Sequence, residues 1–178
     1  MTATLRYLIS GGDGLAVGRE LNRAVQWWDQ RKYRIILLST SLFGQEFKLL
    51  KRAACRGAAD QAGRLTKATE PGALNLPGLS DLLRKLQIFD QTAADSNYKK
   101  LLFSFLKRAG FGCLYLPPLS RAEVPFHFST AAWQGLFSAL LPSSDEMAER
   151  EVSLIHIDRL YADFLLPCLP GQAQPLQN

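Results

Sequence analysis

Two short stretches of this chain have the residue types that hold a phosphate. Gly12, Gly14 and Gly18 give a GxGxxxG pattern around the start of an expected helix. Ser39, Thr40 and Ser41, followed by Gly44, give a hydroxyl-rich turn before another. The first N–H groups of a helix have no intrahelical partner and sit at the positive end of its dipole, so glycines that admit an anion and hydroxyls that donate to it would complete a site. The details depart from known phosphate loops. The spacing is not GxGxxG, no Walker-type lysine follows either turn, and no acidic residue ends the Tyr33–Leu38 run to hold a ribose. Ordinary glycine and serine capping is the first reading of both turns, phosphate binding at Gly12, Gly14, Ser39, Thr40 and Ser41 the second, and no cofactor is expected.

Nucleophiles and metal ligands are few. The three cysteines, Cys55, Cys113 and Cys168, are far apart, contain no CxxC pair and have two histidines, His127 and His156, to assist them. A structural zinc needs about four ligands and a disulfide framework needs pairs, so buried reduced thiols are expected and no metal site. Neither histidine lies in a GxSxG, HExxH or Cys-His signature, and both sit in apolar surroundings. Cys113 and His127 across an expected hairpin are the one imaginable nucleophile–base pair, and no catalytic residue is assigned.

The basic residues are more numerous. Residues 1–110 hold 18 Lys/Arg against 9 Asp/Glu, a balance of +9, whereas residues 111–178 hold 3 against 7, or −4, which together give the net +5. Lys48, Lys51, Arg52 and Arg56 recur along one side of a helix after Gly44. Arg84 and Lys85 lie on a second helix, and Lys99, Lys100, Lys107 and Arg108 on a third. Such stripes either lie along phosphates, displacing condensed counterions, or are solvated helix faces.

These residues need elements to position them. Leu5–Ile9 followed by Ser10-Gly11-Gly12-Asp13-Gly14, then an amphipathic run with Val17, Leu21, Ala24, Val25 and Trp28 on one face, predicts strand, turn, helix. Tyr33–Leu38 is a continuous branched-chain run, expected for a strand covered on both faces, and it leads into the basic helix. The segment 1–70 is therefore a β-α-β-α unit. The stretch 69–78, TEPGALNLPG, is the best boundary. In 71–128, Leu79, Leu82, Leu83 and Leu86, then Tyr98, Leu101, Leu102, Phe105 and Ala109, predict two helices, and Cys113–Leu116 with Val124–Phe128 predict a loose hairpin. That order is winged-helix-like. Residues 129–170 are expected to supply helices, although Val152–Ile157 also suits a strand, and 171–178 a frayed tail. The fold class is α/β or α+β.

Three functional expectations follow. The first is a non-enzymatic regulator that binds nucleic acid through its basic front. The second is an adaptor or self-associating subunit using an apolar surface of Trp133, Phe137, Leu160 and Phe164. The third is a phosphate-binding or nucleotide-binding α/β domain. No continuous apolar run approaches the ~20 residues of a membrane span, and the N-terminus does not read as a signal peptide, so a cytoplasmic protein without a membrane partner is expected.

Overall fold

The computed structural model describes residues 4–11, 14–40, 77–88, 95–110, 113–120, 123–141 and 150–176. The strands are β1 (Thr4–Ser10), β2 (Arg34–Ser39), β3 (Lys107–Gly110), β4 (Cys113–Tyr115), β5 (Glu151–Asp158) and β6 (Gln174–Pro175). The helices are α1 (Gly14–Gln30), α2 (Leu79–Ile88), α3 (Asp95–Phe105), α4 (Thr130–Ala139) and α5 (Ala162–Leu165). The sheet order is β3-β4-β2-β5-β1-β6. Every neighbouring pair is parallel except β3 on β4, so five parallel strands carry one antiparallel edge strand.

Helices cover both faces. On one, Val17, Leu21 and Val25 of α1 pack on Ile35, Leu37, Cys113, Val152 and Leu154. On the other, the leucines of α2, Leu102 and Phe105 of α3, Trp133 and Phe137 of α4, and Tyr161 to Leu165 pack on Leu5, Ile36, Leu38, Ile155 and Ile157. Strands buried from both sides have no solvent-facing side, which is why β2 carries the continuous apolar run Ile35–Leu38 instead of an alternating one.

Several expectations are corrected. β1 and β2 are parallel, as a β-α-β unit requires, but they are not neighbours, because β5 lies between them with Ile9 opposite Ile157 and Leu38 opposite Ile155. Glu151–Asp158 is thus the central strand and not part of a final helix. The helix expected to run to Ala109 ends at Phe105, and Lys107–Gly110 instead pairs antiparallel with β4. Leu102 and Phe105 of the stripe are buried as expected, and ladder hydrogen bonds to β4 take over where the helix ends. The hairpin between Cys113–Leu116 and Val124–Phe128 does not form. Cys113–Tyr115 pairs with β2 on one side and β3 on the other, and Pro125–His127 is a 3-10 turn opened by the proline. With no such hairpin behind α3, the winged-helix-like arrangement is not what these residues build. The sheet draws strands from each of the segments 1–70, 71–128 and 129–170. The end of the chain joins it too: Gln174 and Pro175 pair with Arg6 and Tyr7, and Leu176 N donates to Tyr7 O at 2.7 Å.

Local signals explain the helix ends. Ser129 caps α4, its hydroxyl accepting from Ala132 N at 3.2 Å. At the other end of α1, Tyr33 N donates to Trp28 O at 3.2 Å and Lys32 N to Asp29 O at 2.8 Å, with Trp28 and Tyr33 rings 4.7 Å apart. This is a Schellman close with its apolar clasp, and it puts Lys32 at φ 60° where glycine is usual. No helix among the described residues is long and apolar enough to cross a membrane.

Candidate ligand site at the carboxyl edge of the sheet

Parallel strands end together, so their carboxyl ends form one edge of the sheet. β1 ends at Ser10, β2 at Ser39 and β5 at Asp158. Residues of one parity on each strand share a face. Leu8 and Ser10, Ile35, Leu37 and Ser39, and Val152, Leu154 and His156 therefore lie on the face that α1 covers. Register completes the assembly: Ser39 is paired with His156, and Ser10, paired with Asp158 one same-face position beyond, reaches His156 diagonally, so the three residues line up across three strands.

The row is hydrogen-bonded. Ser39 Oγ lies 2.9 Å from His156 Nδ1 and Ser10 Oγ lies 3.1 Å from His156 Nε2. Ser39 and His156 are buried, at 0% and 2% exposure, while Ser10 is partly open to solvent. A buried imidazole costs free energy unless both nitrogens are satisfied, and here two serines satisfy them. Thr40, next in chain, turns to the other face. Its N–H donates to His156 O at 3.0 Å and its hydroxyl accepts from Asp158 N at 2.9 Å, tying the end of β2 to the end of β5. The Asp158 carboxylate accepts from Leu160 N at 2.9 Å and caps the following 3-10 turn.

Past Ser10 the chain runs through Gly11 toward α1, a 17-residue helix with no acidic residue in its first turn. Gly11 is packed against the strand-end of β5: a Cβ built there would lie 3.0 Å from Arg159 Cβ and 3.9 Å from Arg159 N. A side chain at position 11 would thus meet Arg159, whose own side chain is exposed at this edge. The segments leaving the two adjacent strands go to opposite faces. α1 follows β1 onto one, and Tyr161, Ala162 and Leu165 follow β5 onto the other. Such divergence after two adjacent parallel strands marks the edge between β1 and β5 as the crevice position at which open parallel sheets bind ligands.

The residues singled out from sequence fall in different places. Ser39 and Thr40 are at this edge but bonded internally. Gly14 begins α1, and Gly12, Ser41, Lys48, Lys51, Arg52 and Arg56 lie outside the described residues. Arg84 on α2 is bonded to Asp81 at 3.2 Å and to Glu123, and exposed Lys85 lies 5.0 Å from the Phe105 ring. On α3, Lys99 donates to Leu141 O at 3.4 Å and Lys100 is exposed, while Lys107 and Arg108 are on β3. The six that are described lie on two helices and a strand and do not share one helix face. Trp133 and Phe137 are fully buried in the core, where Trp133 Nε1 donates to Pro125 O at 3.0 Å, so they offer no outer surface. Leu160 is 79% exposed, and Phe164 stacks edge-on against exposed Phe126 with ring centres 5.2 Å apart.

Cys113 and His127 do not meet. Cys113 is buried in β4, where burial first and the Asp29 charge second push its thiol up to about 12, while His127 is exposed on the 3-10 turn. Among the described residues no cluster of three or more His, Cys, Asp or Glu gathers. Sequence reasoning missed Ser10 and His156. The available signal was one polar ring inside the apolar run SLIHID and a serine at the end of an apolar run before GGDG. Compared with family models, with curated proteins and with solved structures, the chain matches none of them.

Proposed function

We propose that this chain is a ligand-binding α/β domain that takes a small anionic compound, carrying a phosphate or a carboxylate, at the carboxyl edge between β1 and β5. The observation that carries the reading is the divergence of the segments following these two adjacent strands. α1 leaves on one face and the Tyr161–Leu165 segment on the other, with Ser10, Gly11 and Arg159 at the opening. Charge supports an anion: the positive end of the α1 dipole and the Arg159 guanidinium lie at the same edge, and no acidic residue occupies the first turn of α1. Gly11 lets the end of β1 pack closely on Arg159, since a Cβ there would lie 3.0 Å from Arg159 Cβ.

The test is stabilisation by ligand. Inorganic phosphate, nucleoside monophosphates and diphosphates, and small dicarboxylates are titrated against the whole chain while its thermal midpoint is followed. A ligand present at 100-fold its dissociation constant adds about 2.7 kcal/mol, equivalent to roughly 5–10 °C in a chain of this size. Arg159→Ala, an exposed change, is expected to leave the unliganded midpoint in place and remove most of the shift. Absence of any shift across the anion series at millimolar concentration rules the reading out.

A further inference from the structure

The Ser10–His156–Ser39 row satisfies a buried histidine and also lines up a hydroxyl, a base and an orienting group. Ser10 stands at the carboxyl end of a parallel strand, partly open to solvent and at the edge described above. Its hydroxyl is 3.1 Å from one ring nitrogen of His156, and the other ring nitrogen is held at 2.9 Å by a fully buried serine. A nucleophile in hydrogen-bond reach of a base, whose far side is oriented by a third group, is the arrangement that activates a serine hydroxyl. Ser10 is followed by Gly11 and, at Gly14, by the start of α1, whose positive dipole end favours negative charge.

We propose that Ser10 is the nucleophile and His156 the general base of an ester-hydrolysing centre, with Ser39 as the positioning residue that holds the imidazole. In the operating tautomer Nδ1–H of His156 donates to Ser39 Oγ, leaving the Nε2 lone pair to accept from Ser10. Ser10 Oγ forms a bond to the ester carbonyl carbon as its proton passes to Nε2. The carbon–oxygen bond to the alcohol then breaks, and the alcohol leaves with that proton. Water repeats the sequence: it gives a proton to Nε2, attacks the acyl-serine, and releases the carboxylic acid as Ser10 takes the proton back. The substrate class is a small ester bearing a negative group, because the same edge carries Arg159. The proposal rests on the crevice being the ligand site.

The experiment uses the full-length chain with a fluorophosphonate, which phosphonylates an activated serine with loss of fluoride, and with p-nitrophenyl acetate as a reporter ester. The expected result is one phosphonyl adduct per chain, mapped by peptide mass to Ser10, absent in Ser10→Ala. The Ser10→Ala chain should melt cooperatively. His156→Gln is expected to slow ester turnover by about 10²–10⁴-fold, the range of general-base assistance. Ser39→Ala should lower kcat about tenfold with KM unchanged, and Ser39→Thr, which keeps the hydroxyl, should restore it, a rescue that a packing role alone does not give. An unlabelled wild type, or equal labelling in Ser10→Ala, overturns the proposal. If the anion-induced shift persists in either of those cases, the binding reading stands without the chemistry, and if the shift is missing from wild type both fall.

Discussion

Gly11→Ala tests the geometry of the site more directly than removal of any polar group. The added methyl would lie 3.0 Å from Arg159 Cβ, an atom fixed to the backbone where β5 ends, so no side-chain rotation relieves the contact. Carbon atoms rest at about 3.5–4.0 Å, so the ends of β1 and β5 must part by roughly 0.5–1 Å. Seven register pairs, from Thr4 with Val152 to Ser10 with Asp158, resist that opening, and the strain concentrates at the last of them. Ser10 Oγ and His156 Nε2 are already 3.1 Å apart, so the displacement carries them to the limit of a hydrogen bond. Overpacking of this kind costs about 1–3 kcal/mol, which is about 2–12 °C in the midpoint for a chain of this length. Gly135→Ala is the matched control. It lies within α4 with nothing within 4 Å of its would-be Cβ, and the same exchange there removes a flexible residue from a helix interior. It should stabilise by about 0.5–1 kcal/mol. Calorimetry and urea unfolding read both variants. Gly11→Ala with the wild-type midpoint refutes the close approach of the two strand ends.

Four further outcomes are expected. Lys32→Gly, at the left-handed residue that closes α1, should stabilise by about 0.5–1 kcal/mol in urea unfolding, because glycine takes that conformation without a Cβ clash. Trp133→Ala should cost about 3–5 kcal/mol, since a fully buried indole and its bond to Pro125 O are both lost, and sedimentation should show the same oligomeric state before and after. The Cys113 thiol, pushed up to about 12 in the folded chain, stays protonated where the unfolded thiol ionises. Its contribution to stability is therefore complete below the ordinary thiol value of about 8.5, declines as pH rises from there toward 12, and is absent in Cys113→Ala, as urea midpoints at pH 8 and 10.5 will show. For the proposal that the basic front binds nucleic acid, the paired change Lys99→Ala and Lys100→Ala should flatten the log–log salt dependence of duplex binding by about two in fluorescence anisotropy. No binding even at low salt removes that proposal.

Much of the architecture was legible because short-range periodicity reports which side of an element is covered. Leu79, Leu82, Leu83 and Leu86 could only face a core, and they do. Tyr33–Leu38 was readable as a strand sheathed on both faces for the same reason. The glycine-rich turn after β1 was also visible as the start of a helix. Partnership between strands was not. Nothing local in Val152–Ile157 says that it inserts between β1 and β2, some 110 to 150 residues away, and a stripe continuing from Ile157 to Leu165 imitates a helix. Lys107–Gly110 reads as the end of a helix until the free edge of β4 offers it hydrogen bonds, which are a property of the assembled sheet. The candidate site lay beyond sequence reading on the same account. Ser10, Ser39 and His156 are individually ordinary residues at strand ends, and only the parallel register that puts β5 in the middle brings two hydroxyls to the two nitrogens of one buried ring. Types and periods belong to the chain; the row across three strands belongs to the sheet, because it exists only where long-range pairing sets the register.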